Sequence, residues 1–569
     1  MRNKFHYILL LICYTVLNFS CSSKEGIKGD PLPPTISFEQ ESPIYQVKVG
    51  KTITIVPIVE NAGEDALYLW KIDGKIVGQE ATYTYQAGDE PAMYSVKFEV
   101  TTDYGTASEE FSLEVVASLL PQIVLGTPEE GYTVIIEGEL NFLPEVENGD
   151  DAQYQWTVNG NPVAKTLGYT FMQKKAGNYT VALSATNEDG TDKIEFNVYV
   201  CTPEEMPFTA LFEQTEYNMC LGRTIFIRPY QILNAFDATY TWTVDGKEIT
   251  NLPPFSNPRV ATAAGAACTF AYTPETQGTH TVTLTMKNKY TTIPMHFTVN
   301  VAPPEGESPR GYTGNVDCNK IYEFTAAPGQ FVNEGYDAYT PEEACAYATS
   351  RMNHGYISLG AWGGYIIVGF DHSIKNDGDY NLEIDGNAFP GWSEQGIVWV
   401  MQDENRNGLP DDTWYELKGS DYESSKQDYA ITYYRPKSPG RPTAWTDNMG
   451  GSGQISYLGF HTQPYYYPNW IEANSYTIVG SLIRPTVSGG GNNWSSSSSE
   501  WGYADNCATV PLGDHMRISD AVRHDGKPAN LKYIDFVKIH TGMIAGAGWL
   551  GEISTEVFTV RDYNMIKNQ

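Results

Sequence analysis

The sequence predicts an all-β protein: tandem β-sandwich modules followed by a larger, jelly-roll-like β-sandwich domain that carries one short helix. Three observations point there. A Trp motif recurs at a fixed interval through the N-terminal half. Apolar residues alternate with polar ones along many segments, the period of a half-buried strand. And 39 Tyr, 12 Trp, 52 Gly and 33 Pro suit strands and tight turns better than helices. The 569 residues correspond to about four domains at roughly 100–150 residues each.

The chain opens with export signals. Arg2 and Lys4 precede a mostly apolar run from Ile8 to Phe19 that is too short to span a bilayer comfortably. Residues 1–20 therefore read as a signal peptide. Its end, Leu17-Asn18-Phe19-Ser20-Cys21, resembles a lipoprotein signal, which implies lipidation of Cys21. Ser22-Ser23-Lys24-Glu25 resembles the short charged export signals of surface-exposed lipoproteins in some Gram-negative bacteria. Residues 21–32 form the tether. The expected location is the outer membrane, lipid-anchored and facing outward.

Three modules follow, at 33–118, 119–202 and 203–303. Each carries the motif in the same register: Trp70-Lys71-Ile72-Asp73-Gly74, Trp156-Thr157-Val158-Asn159-Gly160 and Trp242-Thr243-Val244-Asp245-Gly246. Trp156 follows Trp70 by 86 residues, and Trp242 follows Trp156 by 86. Asp-Gly and Asn-Gly are strong hairpin turns because both residues tolerate positive φ. A second strand in each repeat alternates, as in Tyr94-Val96-Phe98-Val100. A Trp on one strand and an aromatic-led alternating strand farther on is the pattern of an immunoglobulin-like sandwich. The motif also resembles PKD-type modules over about 33–302, which implies a stalk holding the last domain away from the membrane. The three Trp residues read as core.

Composition shifts at 304–311, a Pro- and Gly-rich linker, and the 86-residue repeat is absent from the C-terminal domain, 312–569. One helix is expected at Pro341–Arg351, with Thr340 as N-cap and Glu343 completing a capping box. Strands are expected at 365–370, 396–401, 475–479, 533–539 and 556–560. The sharpest motif is the loop from Asp403 to Glu416. Asp403, Asn405 and Asn407 place oxygens at positions 1, 3 and 5, Gly408 permits a sharp turn, and Leu409 offers a carbonyl. Trp414 stands where a calcium-binding helix–loop–helix would have its closing Glu, so Asp411, Asp412 or Glu416 would complete the shell. The loop reads as calcium-stabilised, the alternative being a metal-free series of Asx turns. Aromatic residues in expected loops, Trp392, Trp445, Tyr465, Tyr466, Tyr467, Trp470, Trp494 and Trp501, are the candidate ligand contacts; the alternative is that they cap the sandwich ends.

The formal charge of −32 argues against nucleic acid, whose phosphates need Lys and Arg. It also opposes electrostatic adhesion to anionic membranes, leaving the lipid anchor as the membrane contact. Six cysteines remain besides Cys21 in the mature chain: Cys201, Cys220, Cys268, Cys318, Cys345 and Cys507. They allow 15 pairings, with Cys220–Cys268 the first guess. No GxSxG elbow, HExxH, P-loop or helix-opening GxGxxG is present, so the chain reads as a binder rather than an enzyme. The histidines at 354, 372, 461, 515, 524 and 540 are scattered. Asp371 and His372 are adjacent on a strand and so are expected to face opposite ways.

Several stretches of the last domain, among them Ala327-Pro328-Gly329-Gln330-Phe331-Val332-Asn333, Ser393-Glu394-Gln395-Gly396-Ile397-Val398-Trp399 and Gly548-Trp549-Leu550-Gly551-Glu552-Ile553-Ser554-Thr555, resemble the C-terminal domain of PKD-bearing surface lipoproteins of gut anaerobes. That group includes BtuH-like proteins. The resemblance implies that the chain binds cobalamin, as ligand rather than cofactor, and delivers the corrinoid to an outer-membrane TonB-dependent transporter. A surface glycan-binding protein, a calcium-dependent glycan hydrolase and an adhesin are the alternatives.

Overall fold

The computed structural model describes residues 33–567 apart from 39–43, 64, 150, 251–254, 256, 307–309, 459–460, 491–492 and 508–511. The expected signal peptide and the whole tether, Cys21 included, lie outside the described residues.

The fold is nearly all β. Each module builds a five-stranded sheet of identical order. In the second, the strands are Tyr132–Ile135, Gly190–Cys201, Gly177–Asn187, Gln153–Val158 and Asn161–Ala164. The first pair is parallel and the rest are antiparallel. Short two-stranded pairs oppose the sheet. The hairpin turns are as the sequence predicts: φ is +47° and +78° at Asp73-Gly74, +48° and +76° at Asn159-Gly160, and +48° and +77° at Asp245-Gly246. Two consecutive positive φ values define the tight turn whose twist matches the flanking strands. The turn Asp or Asn has one further task. Its side chain accepts the N–H of Ser95, Thr180 or Thr281 on the neighbouring strand, at 2.9–3.0 Å. Trp70, Trp156 and Trp242 are core residues, no more than 2% exposed. The third module adds a short helix, Ala263–Cys268, capped by Thr262, which its sequence pattern did not announce.

The C-terminal domain is organised on a six-stranded antiparallel sheet. Its order is Lys320–Thr325, Tyr365–Lys375, Tyr533–Thr541, Gly396–Met401, Trp414–Leu417 and Ala521–Val522. Its inner face, with Ile366, Val368, Val398, Val400, Val537 and Ile539, joins the largest core. The helix Pro341–Arg351 packs there through Ala344 and Ala348, and its capping box is complete: Thr340 accepts from Glu343 N–H while the Glu343 carboxylate accepts from Thr340 N–H. A four-stranded sheet, Ser452–Ile455, Thr443–Asp447, Lys426–Tyr434 and Ser475–Leu482, carries a second core.

Three expectations need correction. The six described cysteines are all free, so Cys220 and Cys268 are not bridged; each is buried separately, and the Cys220 N–H donates to Glu404 across the joint to the last domain. Asp371 and His372 do not diverge. A register shift between Gly369 and Ile374 breaks the strand's alternation, and the His372 ring contacts Asp371 and Asp562, both at 2.9 Å. Finally, the modules are not a simple spacer. The third packs against the C-terminal domain through Arg228–Asp428 at 2.7 Å, Asn257–Gln427 at 2.6 Å and a parallel bridge between Val260 and Gln427. The second touches the same domain through a two-pronged Arg441–Asp192 pair at 2.9 and 3.3 Å.

Candidate functional site

The outer face of the six-stranded sheet generates the first cleft. Residues paired across antiparallel strands share a face. The register therefore lays Glu323, Ile367, Lys538, Trp399 and Glu416 in one transverse row. Tyr365, His540 and Ile397 form the next row. The third module roofs this face with Tyr217, Arg228 and Tyr230, enclosing a cleft of about 270 Å³.

Polar atoms in its wall lack protein partners. His540 Nδ1 lies 3.0 Å from the Thr541 carbonyl. A carbonyl only accepts, so Nδ1 carries the proton and Nε2 is left as an acceptor. His540 Nε2, Trp399 Nε1 and Asp412 Oδ1 are buried without a hydrogen-bond partner. Burial, reinforced by the Lys538 cation, pushes His540 down to about 3, so the ring is neutral. Burial and then Glu404 push Asp412 up to about 8. The cleft thus offers a donor, an acceptor and a protonated acid beside two aromatic faces, Trp399 and Trp414. Buried polar groups of this kind are normally satisfied by water or ligand.

The same joint holds a buried charge group. Asp428 pairs with Arg228 and, at 3.2 Å, with His524. Burial by itself would raise Asp428, but His524 and Arg228 outweigh it and hold the carboxyl well below its ordinary range.

A second, wider cleft of about 690 Å³ lies between the second module and the C-terminal domain. Tyr434, Arg435, Lys437, Arg441 and Tyr465 line one side, and Ile194, Phe196 and Asn197 line the other.

Two segments match a known family. Residues 33–102 and 120–187 match the PKD-like domain. The first two modules are similar to PKD-like domains over these segments. Among curated proteins none matches the chain. Solved structures with similar β-sandwich arrays include the fibronectin(III)-like modules of CbhA from Clostridium thermocellum, at 13% identity over 30% of this chain and 97% of that one, TM-score 0.19. Extracellular domains 3–5 of Drosophila OTK align at 15% identity over 47% and 97%, TM-score 0.17. The three N-terminal domains of the outer capsid protein Hoc from bacteriophage RB49 align at 15% over 48% and 100%, TM-score 0.18. Scores this low carry no functional argument. PKD-like and immunoglobulin-like modules are consistent with a surface or adhesion-type extracellular protein.

The residues singled out by sequence do not converge. Tyr466, Tyr467 and Trp470 are 1%, 0% and 3% exposed and belong to the cores. They are aromatic fill beneath a loop, not ligand contacts. Trp445 packs on the four-stranded sheet and Trp392 on a separate cluster around Ile397 and Met543. Trp494 sits on a two-stranded hairpin, 487–490 with 493–496. Trp501 lines a small hollow beside Tyr380 and Arg517. Of the eight, Tyr465 alone reaches the 690 Å³ cleft. The Asp403 loop is closed by its own amides: Asp403 accepts from Asn407 and Gly408, Asn405 from Asn407, Asn407 from Leu409, and Asp411 from the Asn405 and Asn407 side chains. Asp412 caps the Glu404 N–H. Glu416 is elsewhere, held by Ser481 at 2.6 Å in the first cleft. Trp399, Trp414 and His540 were missed because a face shared by strands far apart in sequence becomes visible only once their register is known.

Proposed function

We propose that this chain is an extracellular binding protein, without a catalytic step, that holds a small-molecule nutrient between its PKD-like modules and its C-terminal domain. A corrinoid is the proposed ligand, passed on to a TonB-dependent transporter from a lipid anchor at Cys21. The carrying observation is the 690 Å³ cleft, which falls within the roughly 300–1,000 Å³ of small-molecule sites. Tyr434 and Tyr465 supply ring faces, Asn197 and Asn474 amides, and Arg435 and Lys437 positive charge on an otherwise acidic chain. Cobalamin asks for that set, having a broad flat ring system, an amide rim and a phosphodiester. The enclosed 270 Å³ cleft is below that size range and suits water or a small polar group.

The test is calorimetric titration of cyanocobalamin into the chain from Ser22 onward. One-to-one heat that weakens about tenfold or more in Tyr465→Ala and Arg435→Ala supports the assignment, since a rigid aromatic or Arg anchor carries about 1.4 kcal/mol or more of binding. No heat from folded wild-type chain overturns the corrinoid reading and directs the search to glycans.

A further inference from the structure

A third cavity, of about 370 Å³, opens beside the helix Pro341–Arg351 and ends at Glu556 and Asn387. Behind that wall Glu394, Asp505 and Glu556 each place a carboxylate oxygen within 4.8 Å of the others. They are 7%, 2% and 5% exposed. Among the described residues no other group of His, Cys, Asp and Glu converges this closely in threes.

Three buried carboxylates need positive charge or protons. No Lys, Arg or His forms an ion pair with any of them among the described residues. Arg351, on the cavity wall, is turned to the Tyr356 carbonyl. The backbone holds two of the three in place. Asp505 accepts the N–H groups of Asn387, Ala388 and Glu556, all at 2.9 Å, and Glu394 accepts that of Ser554 at 3.1 Å. Asp505 itself sits at φ +50°, an uncommon conformation for a residue with a side chain. Glycine is required at 386, where a Cβ would lie 2.4 Å from the Asp505 carboxylate. Glu556 is different: both its oxygens are buried without a well-formed hydrogen bond, facing the Glu394 carboxyl and the Ser554 side chain. Asn387 Oδ1, on the same wall, is also buried and unpartnered.

We propose that Glu394, Asp505 and Glu556, with Asn387 Oδ1, bind a calcium ion at the inner end of this cavity. The donors are all oxygen, with no imidazole or thiolate to favour zinc or copper. Calcium accepts six to eight oxygens in irregular geometry, whereas magnesium demands a near-ideal octahedron and retains its waters. The ion ties together segments near 387–394, 505 and 556, which meet only in the folded chain. Its role is structural, and it lies apart from the self-closed Asp403 loop.

The chain from Ser22 onward retains every described residue and is the material for the test. After treatment with a chelator and dialysis against calcium chloride, bound calcium is counted by atomic emission. One ion per chain is expected, with affinity falling by about 10–100-fold or more in Glu556→Gln, since even outer-shell changes have effects of that size. Terbium, substituting for calcium, should emit through the Trp392 indole beside Glu394. Trp392→Phe should dim that emission while leaving all three carboxylates intact. A calcium-free wild-type chain, or an ion lost in Asp403→Asn but retained in Glu556→Gln, overturns the assignment. So does terbium emission that ignores Trp392→Phe.

Discussion

At the residue scale, the His540 ring is the clearest pH-sensitive group. Its folded pKa, about 3, lies below the ordinary value of about 6.5. As pH falls past about 6.5 the unfolded chain takes up a proton that the buried ring refuses. Stability is therefore lost from about pH 6.5 downward toward 3, at up to about 1.4 kcal/mol per pH unit. Denaturant unfolding between pH 7 and 5 should show a shallower slope for His540→Asn than for wild type. Equal slopes would mean the ring titrates normally. Residue type alone gave no hint of this behaviour. His540 follows Ile539 in an apolar strand; of its surroundings only Lys538, two residues back on the same face, is reached by counting along the strand, while Tyr365 and the facing Gly480 belong to other strands. The loop tyrosines erred in the opposite direction. Three successive Tyr beside a Pro look like an exposed contact surface, yet Tyr466 closes on Leu458 and Tyr467 on Ala473 through their hydroxyls. An aromatic ring with a satisfied hydroxyl packs as well beneath a loop as above it.

At the element scale, local chemistry was legible where one short segment decides the outcome. The capping box at Thr340 and Glu343 and the positive-φ turns at 73–74, 159–160 and 245–246 needed only their own residues. Thr340→Ala should destabilise the C-terminal domain by about 1 kcal/mol, the usual worth of such a cap. Gly160→Ala, at φ +76°, should destabilise the second module by about 1–2 kcal/mol, the penalty of a left-handed residue with a Cβ. Module-resolved hydrogen exchange checks both, and protection unchanged in the second module would contradict the turn assignment. The strand containing Asp371 and His372 was misread for an equally local reason. A bulge resets the alternation on which the facing rule depends, and nothing in Phe370-Asp371-His372 advertises one.

At the scale of the whole molecule, the repeat period disclosed how many modules there are but not how they pack. Contacts between bodies rest on an isolated backbone bridge and on single side chains such as Arg441 and Arg228, none of which has a periodicity. The Arg228–Asp428 ion pair, with the buried His524 ring, its pKa lowered by that burial, against the same carboxylate, is one ionic fastening of the third module. Because Asp428 is held below its ordinary range, its contribution is present above about pH 4 and is lost as pH falls through the folded value. Arg228→Ala leaves that carboxylate buried with one partner fewer. Small-angle scattering at neutral pH should show a larger radius of gyration for this variant than for wild type, and an unchanged radius would mean that the neighbouring hydrogen bonds suffice.

The clefts have walls from two bodies, and this has a mechanical corollary. Anything seated between the second module and the C-terminal domain would be held by both, as in a clasp. Tension applied along the chain, with the N-terminal end fixed and the last domain pulled by a partner, would part the walls and lower the grip together. Release would then be governed by force as well as by concentration, and a partner that docks on the C-terminal domain could empty the clasp without touching its contents.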